Sequence, residues 1–349
     1  MSSHLSSPRR ARTSADPNVA PIGRAVSSDG HLLRCSERRP RPSRTVPLIS
    51  SFSLPLLSYL PSPCPPHFPS HCHLFTDRED LESAAAVELP QRRAVFSEIA
   101  AAAESGWDFS SRWLEDGKSL HTARTSELLP VDLNAIMFRF EHNLQHLAAI
   151  VGESATAAHF GAAAHSRQRA MDELMWSDSR RQWLDVHWPT GSYDAAAASS
   201  AANFSPLWAG CFSKRQAALA TQSLRHSGLI QDGGVATTLS PSSHQWDWPN
   251  AWAPLQDMII EGLERTGRAD AHALGLQIAR SWVASNLYAW RSTRFMFEKY
   301  SAVESGVGGG GGEYTPQVGF GWSNGVALSL LARYGDALAP GSGEADGHR

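Results

Sequence analysis

The sequence predicts an all-α domain set behind a leader of a different kind. Three observations carry this. All twelve Trp lie between Trp107 and Trp322, and none in the first hundred residues. From Asp77 onward, apolar residues recur at the i, i+3, i+4 spacing of amphipathic helices. Strand signals, by contrast, are weak throughout.

The leader spans residues 1–76 and is rich in Ser, Pro and Arg. Through Arg44 it holds nine Arg and no Lys against Asp16, Asp29 and Glu37, a local charge of +6. Its apolar stretch from Val46 to Pro61 is broken by Pro47 and Pro55, and Pro63-Cys64-Pro65-Pro66 follows. Such a segment cannot bury enough apolar surface to offset its ordering entropy. A disordered or foreign low-complexity leader is the favoured expectation. An organelle transit peptide fits loosely, and a secretory signal fits less well because the apolar run comes too late. Localisation stays undecided between extracellular or membrane-associated and cytoplasmic. The cluster His67, His71, Cys72 and His73 has no zinc-site spacing and reads as coincidence.

The domain is expected over residues 77–338, with a disordered tail at 339–349. Glu88–Ser105 reads as a helix ended by Gly106. Asp132 is placed to cap a long helix whose stripe is Leu133, Ile136, Met137, Phe140, Leu144, Leu147 and Val151. Ala155–Trp176 is a third, Ala-rich helix, and Leu207–His226 a fourth. Pro254 suits the first turn of Leu255–Arg265. Asp270 to about Trp290 and Val326–Arg333 complete the set, which makes about seven helices with the first. Paired helices of this kind stack as a solenoid or close as an α/α barrel, and no short solenoid repeat is present.

Composition narrows the function. Net charge is −3, so no global basic field recruits nucleic acid. No run of 18 apolar residues marks a transmembrane segment. Four Cys in 349 residues exclude a disulfide scaffold.

The chemistry concentrates in the connections. In Gly106-Trp107-Asp108-Phe109-Ser110-Ser111-Arg112-Trp113, an Asp flanked by aromatic rings is partly desolvated. Desolvation raises a carboxyl pKa, as a general acid near neutral pH requires. A helix-end turn or a salt bridge to Arg112 is the competing reading. Gln245-Trp246-Asp247-Trp248-Pro249-Asn250-Ala251-Trp252-Ala253-Pro254 alternates Trp with Asp and Asn. Indole faces cover the apolar face of a pyranose while Asp, Asn and Gln bind its hydroxyls. Phe297-Glu298-Lys299-Tyr300 is read as a helix end. Gly308 to Gly312 then lead into Glu313-Tyr314. The Gly run lacks the Lys-Ser/Thr of a phosphate loop and lets the backbone approach a ligand closely. Asp108 and Glu298, at roughly 6.5–9.5 Å, would suit inverting glycoside hydrolysis.

At these connections the sequence resembles the trehalase family. Gln245–Pro254 looks like the family signature QWDxPNGWAP, with Ala251 in place of the usual Gly. Gly106–Trp113, Pro130–Ala135, Gly233-Gly234, Glu298-Lys299-Tyr300 with the Gly run and Glu313-Tyr314, and the GFGWSNGV stretch Gly319–Val326 resemble further family blocks in the right order. The resemblance covers about residues 78–336. It implies an (α/α)6 barrel, here incomplete, and inverting hydrolysis of α,α-trehalose to two glucose molecules. It implies Asp108 as general acid and Glu298 as general base. Gly106 and Glu313 fall on substrate-contacting positions, and Trp246, Asp247 and Asn250 are taken as substrate-binding. No metal or organic cofactor is implied. The family's signature PGGRFxExYxWDxYW and its Asn- and Arg-bearing N-terminal loops are absent. The RPESYRED stretch survives only as the RED of Arg78-Glu79-Asp80. Two alternatives to an active trehalase therefore stand: a catalytically inactive trehalase-like fragment, and a sugar-binding module.

Overall fold

A computed structural model describes residues 78–194, 199–312 and 315–338. The readings of the leader, of the His67–His73 cluster, of Glu313 and of the 339–349 tail lie outside the described residues.

The described chain is mainly helical. Its helices are α1 (Arg78–Ala85), α2 (Leu89–Glu104), α3 (Val131–Ile150), α4 (Ser154–Leu174), α5 (Ser205–Ala209), α6 (Lys214–Arg225), α7 (Ala253–Arg265), α8 (Ala269–Thr293) and α9 (Gly321–Tyr334). Between them run very short antiparallel strands. β1 (Leu128–Leu129) pairs with β4 (Val186–His187), which also pairs with β5 (Ser192–Tyr193). β2 (Trp176–Ser177) pairs with β3 (Gln182–Trp183), and β6 (Ile230–Gln231) with β7 (Gly234–Val235). β8 (Asn250–Trp252) pairs with β9 (Lys299–Ser301). The short turns after α3 and α7 fold α3/α4 and α7/α8 into helical hairpins, with α5 packed between α3 and α7. Helix pairs joined in this way are the units of an incomplete (α/α)6 barrel. No helix among the described residues is long and apolar enough to cross a membrane.

Four sequence expectations need correction. Asp132 does not cap α3, since Pro130 is the N-cap and Asp132 lies in the first turn with its carboxylate on Arg112. The expected Leu207–His226 helix is broken. Gly210 takes φ +81°, ending α5, and a reciprocal Ser213/Gln216 capping box restarts the chain as α6. Phe297–Tyr300 is not a helix end, because Lys299–Ser301 forms β9.

The fourth correction concerns α3. Its period is helical, but the stripe from Leu133 to Val151 is not the buried face. Ile136, Phe140, Leu147 and Val151 are exposed, Val151 at 73%. The opposite face, with Asp132, Asn134 and Glu141, is buried. That face also buries Val131, Ala135, Phe138 and Ala148, and an ion pair joins it to α4. Arg167 of α4 grips Glu141 through two bonds of 2.9 and 2.7 Å and donates to Asn134 at 2.9 Å. A bidentate ion pair buried in this way holds the hairpin on its polar side.

Candidate active site

Tryptophans bind the sequence blocks together. Trp107 stacks on Trp246 at 5.5 Å, and Trp246 on Trp252 at 4.0 Å with an interplanar angle of 5°. Trp322 at the start of α9 meets Trp252 edge-on at 5.5 Å. The ladder thus joins the acidic loop after α2, the signature loop and the C-terminal block. Behind it, Arg112 lies over Trp107 and Trp113 at 4.7 and 4.5 Å. The buried Arg112 guanidinium is bidentate to both Asp132 and Asp185, at 2.6–2.9 Å. Those two carboxylates push its pKa up against the opposing effect of burial. The salt bridge read for Asp108 therefore goes to other partners.

α2 ends at Ser105, and Gly106 turns the chain with φ +85°, a conformation L side chains rarely adopt. Asp108 follows on the exposed side of the loop. Surrounding protein still desolvates its carboxyl in part. That burial raises its pKa, and the Glu298 charge adds to the rise. Its own backbone N–H, Trp246 and Lys299 pull the other way. The direction agrees with the sequence reading. The buried Trp246 Nε1–H falls outside ordinary hydrogen-bond geometry to any acceptor, although its interaction with Asp108 favours the ionised form.

Backbone pairing delivers the second carboxylate. Across β8 and β9, Asn250 faces Ser301, Ala251 faces Tyr300 and Trp252 faces Lys299. Half-buried Glu298 immediately precedes β9. Its N–H donates to Gln317 O at 2.9 Å, and its Oε2 accepts from Gln317 N–H at 3.2 Å. Its carbonyl accepts from Trp322 Nε1–H at 2.7 Å.

The other sequence candidates sit differently. Asp247 is fully buried, with four donors on its carboxylate. Ser110 Oγ and Thr238 Oγ1 donate to Oδ1, and Ser111 N–H and Ser242 Oγ to Oδ2, at 2.6–3.0 Å. Asn250 is also buried. It donates to Gln245 O and Gly310 O at 2.8 and 2.7 Å and accepts from Gly310 N–H. Trp246 has a ring on each face. Packing and internal hydrogen bonds engage all three groups. The Gly run is likewise drawn close to protein. A Cβ on Gly309 would lie 2.6 Å from Asn250 Oδ1, and Gly311 and Gly312 take φ +77° and +80° against Ser243 and Gln245.

Sequence reasoning missed two contributors, Gln245 and Lys299. Gln245 Nε2 donates to the Asp108 carbonyl, while its Oε1 accepts from Lys299 Nζ at 2.7 Å. The available signal was Lys299 itself, one of only three Lys beside 28 Arg.

Paired helices here carry carboxylates and stacked indoles on their connections, in an all-α fold. Comparison with known proteins specifies this further. The Trehalase family profile matches residues 68–335. The probable trehalase of Oryza sativa subsp. japonica is 41% identical over 274 residues, covering 73% of this chain and 49% of that protein. The trehalase of Homo sapiens is 38% identical, covering 76% and 46%. Neutral trehalase Nth1 from Saccharomyces cerevisiae shares the fold, with TM-score 0.58 and 22% identity over 73% of this chain and 45% of that one. The chain belongs to the trehalase family. It spans about half the length of the curated relatives it matches.

Proposed function

We propose that this chain carries the acid–base pair of an inverting hydrolysis of α,α-trehalose. One observation carries the reading: Asp108 is partly desolvated within the field of Glu298. A carboxyl held protonated above the usual range can protonate the glycosidic oxygen. Glu298 takes a proton from a water on the opposite face of the sugar. The water oxygen adds to the anomeric carbon as the bond to the leaving oxygen breaks. Asp108's proton goes to that oxygen, and the water's proton to Glu298. Gly106 contacts the substrate through its backbone, and the buried Trp246 N–H favours the ionised form of Asp108. Asp247 and Asn250 hold the loops. The names of the relatives supply the substrate.

Inversion makes a specific prediction about anomers. Proton NMR of a fresh digest shows α- and β-glucose appearing in equal amounts before mutarotation. Two α-glucose molecules per turnover would overturn the inverting scheme.

A second reading, a trehalase-like chain without turnover, draws on the α3 stripe, which no layer covers among the described residues. Under it, digests show no more glucose than those of Asp108→Asn. The sugar-binding reading would use rings other than Trp246, whose faces Trp107 and Trp252 cover.

A further inference from the structure

Three segments distant in sequence meet at two side chains. The loop of Asp108, the segment of Glu298 and the Gly run touch one another through Gln245 and Lys299. Gln245 Nε2 donates to the Asp108 carbonyl, and Gln245 Oε1 accepts from Lys299 Nζ at 2.7 Å. A second Nζ donor reaches Gly311 O at 3.1 Å, and Gly309 N–H donates to Lys299 O at 2.9 Å. The Gln245 carbonyl is held by Asn250 Nδ2 at 2.8 Å and Trp252 Nε1 at 3.0 Å. Gln245 therefore has little freedom to move. Lys299 is buried, with Nζ 5.1 Å from the Trp252 ring centroid.

A buried ammonium is costly unless its donors are satisfied. Here one donor goes to the amide that holds the acid loop and a second to the Gly311 carbonyl. Gln245 accepts from the ammonium and donates to the peptide carbonyl, and no other side chain of its length does both in fixed orientation. Lys299 is adjacent in sequence to Glu298, so any displacement of Lys299 is passed to the second carboxylate.

We propose that Gln245 and Lys299 are positioning residues that tie the Asp108 main chain to the Glu298 strand and set the separation of the two carboxylates. The proposal rests on the acid–base reading above. Neither residue is assigned a contact with substrate. Gln245 fixes where the acid stands, and Lys299 fixes where the base stands relative to it. The charged groups facing Lys299 are Asp108 and Glu298.

The test has an arm that needs no turnover. Asp-labelled protein, with Asp108→Asn for assignment, gives the Asp108 carboxyl titration by carbon NMR. Glu298→Gln removes a neighbouring negative charge and lowers the Asp108 midpoint in the native background. In a Gln245→Leu background the same Glu298→Gln change produces a different shift, because the separation is no longer held. An equal shift in both folded backgrounds overturns the proposal. If Gln245→Leu does not give a cooperative thermal transition, Lys299→Met serves as the second background with the same expectation. In the activity arm, Gln245→Leu lowers kcat by about a hundredfold with KM little changed, as misplacement of a reacting group does. Lys299→Arg, which keeps the charge, recovers part of the loss seen in Lys299→Met. A wild type that releases no glucose defeats the acid–base reading, while the NMR arm still decides whether the two residues couple the carboxylates.

Discussion

Trp252 and Lys299 face each other across the β8–β9 ladder, and the Lys299 ammonium stands 5.1 Å from the Trp252 ring centroid. One residue belongs to the signature loop, the other follows the second carboxylate. Three pairs of opposed residues thus bring together segments about fifty positions apart.

Asp108→Asn gives a pH-dependent gain in stability. The folded chain holds the Asp108 proton to higher pH than the unfolded chain does. Wild-type stability therefore falls as pH rises from the ordinary carboxylate range through the folded midpoint. The amide has no proton to lose. Its advantage over wild type grows across that window and persists at neutral pH. Urea midpoints of both proteins at acidic and neutral pH check this, and an advantage that shrinks with rising pH would contradict it.

Arg112→Met should cost about 3–5 kcal/mol, the range found when one partner of a buried ion pair is removed. Asp132 and Asp185 would be left beside an apolar side chain. The double variant Arg112→Met, Asp185→Asn recovers part of the loss. Denaturant unfolding of the three proteins measures both effects.

Two neighbouring glycines should differ sharply. A Cβ at Gly309 meets Asn250 Oδ1 at 2.6 Å and Tyr300 O at 3.2 Å, whereas one at Gly310 meets nothing within 4 Å. Gly309→Ala should destabilise by about 1–3 kcal/mol through overpacking. Gly310→Ala should stay within about 0.5 kcal/mol of wild type. Thermal unfolding of the pair tests the packing of the Gly run.

Asp247→Asn turns an acceptor into a partial donor facing the Ser111 N–H and the Ser242 hydroxyl. One unsatisfied buried group costs about 1–3 kcal/mol. The variant should lose thermal stability, and any change in KM should follow from that loss. A KM effect at unchanged stability would return Asp247 to substrate.

Much of the fold was legible from periodicity alone. α2, α3, α4, α7 and α8 fall within a few residues of their expected bounds, because long helices carry several turns of signal. The strands escaped notice because each is only two or three residues long, too short for alternation to show. The α3 stripe gave the right period and the wrong face. An apolar stripe does not announce that Arg112 and Arg167 hold the polar side inward. At the site, the sequence reading of a partly desolvated Asp108 has the same direction as the rise that burial gives its carboxyl. The signature loop carries interactions that its sequence does not reveal. Its Trp, Asp and Asn are the right chemistry for a sugar, and in the structure Trp246 also stacks on Trp107 and Trp252 while Asp247 takes four donors. Only three-dimensional pairing shows which polar groups remain free.

The most direct test of the central claim is glucose release from α,α-trehalose by the purified chain, beside Asp108→Asn and Glu298→Gln. The acid–base reading predicts release by wild type, with each substitution lowering it by a factor on the order of a hundred or more. Equal rates in all three proteins would contradict it.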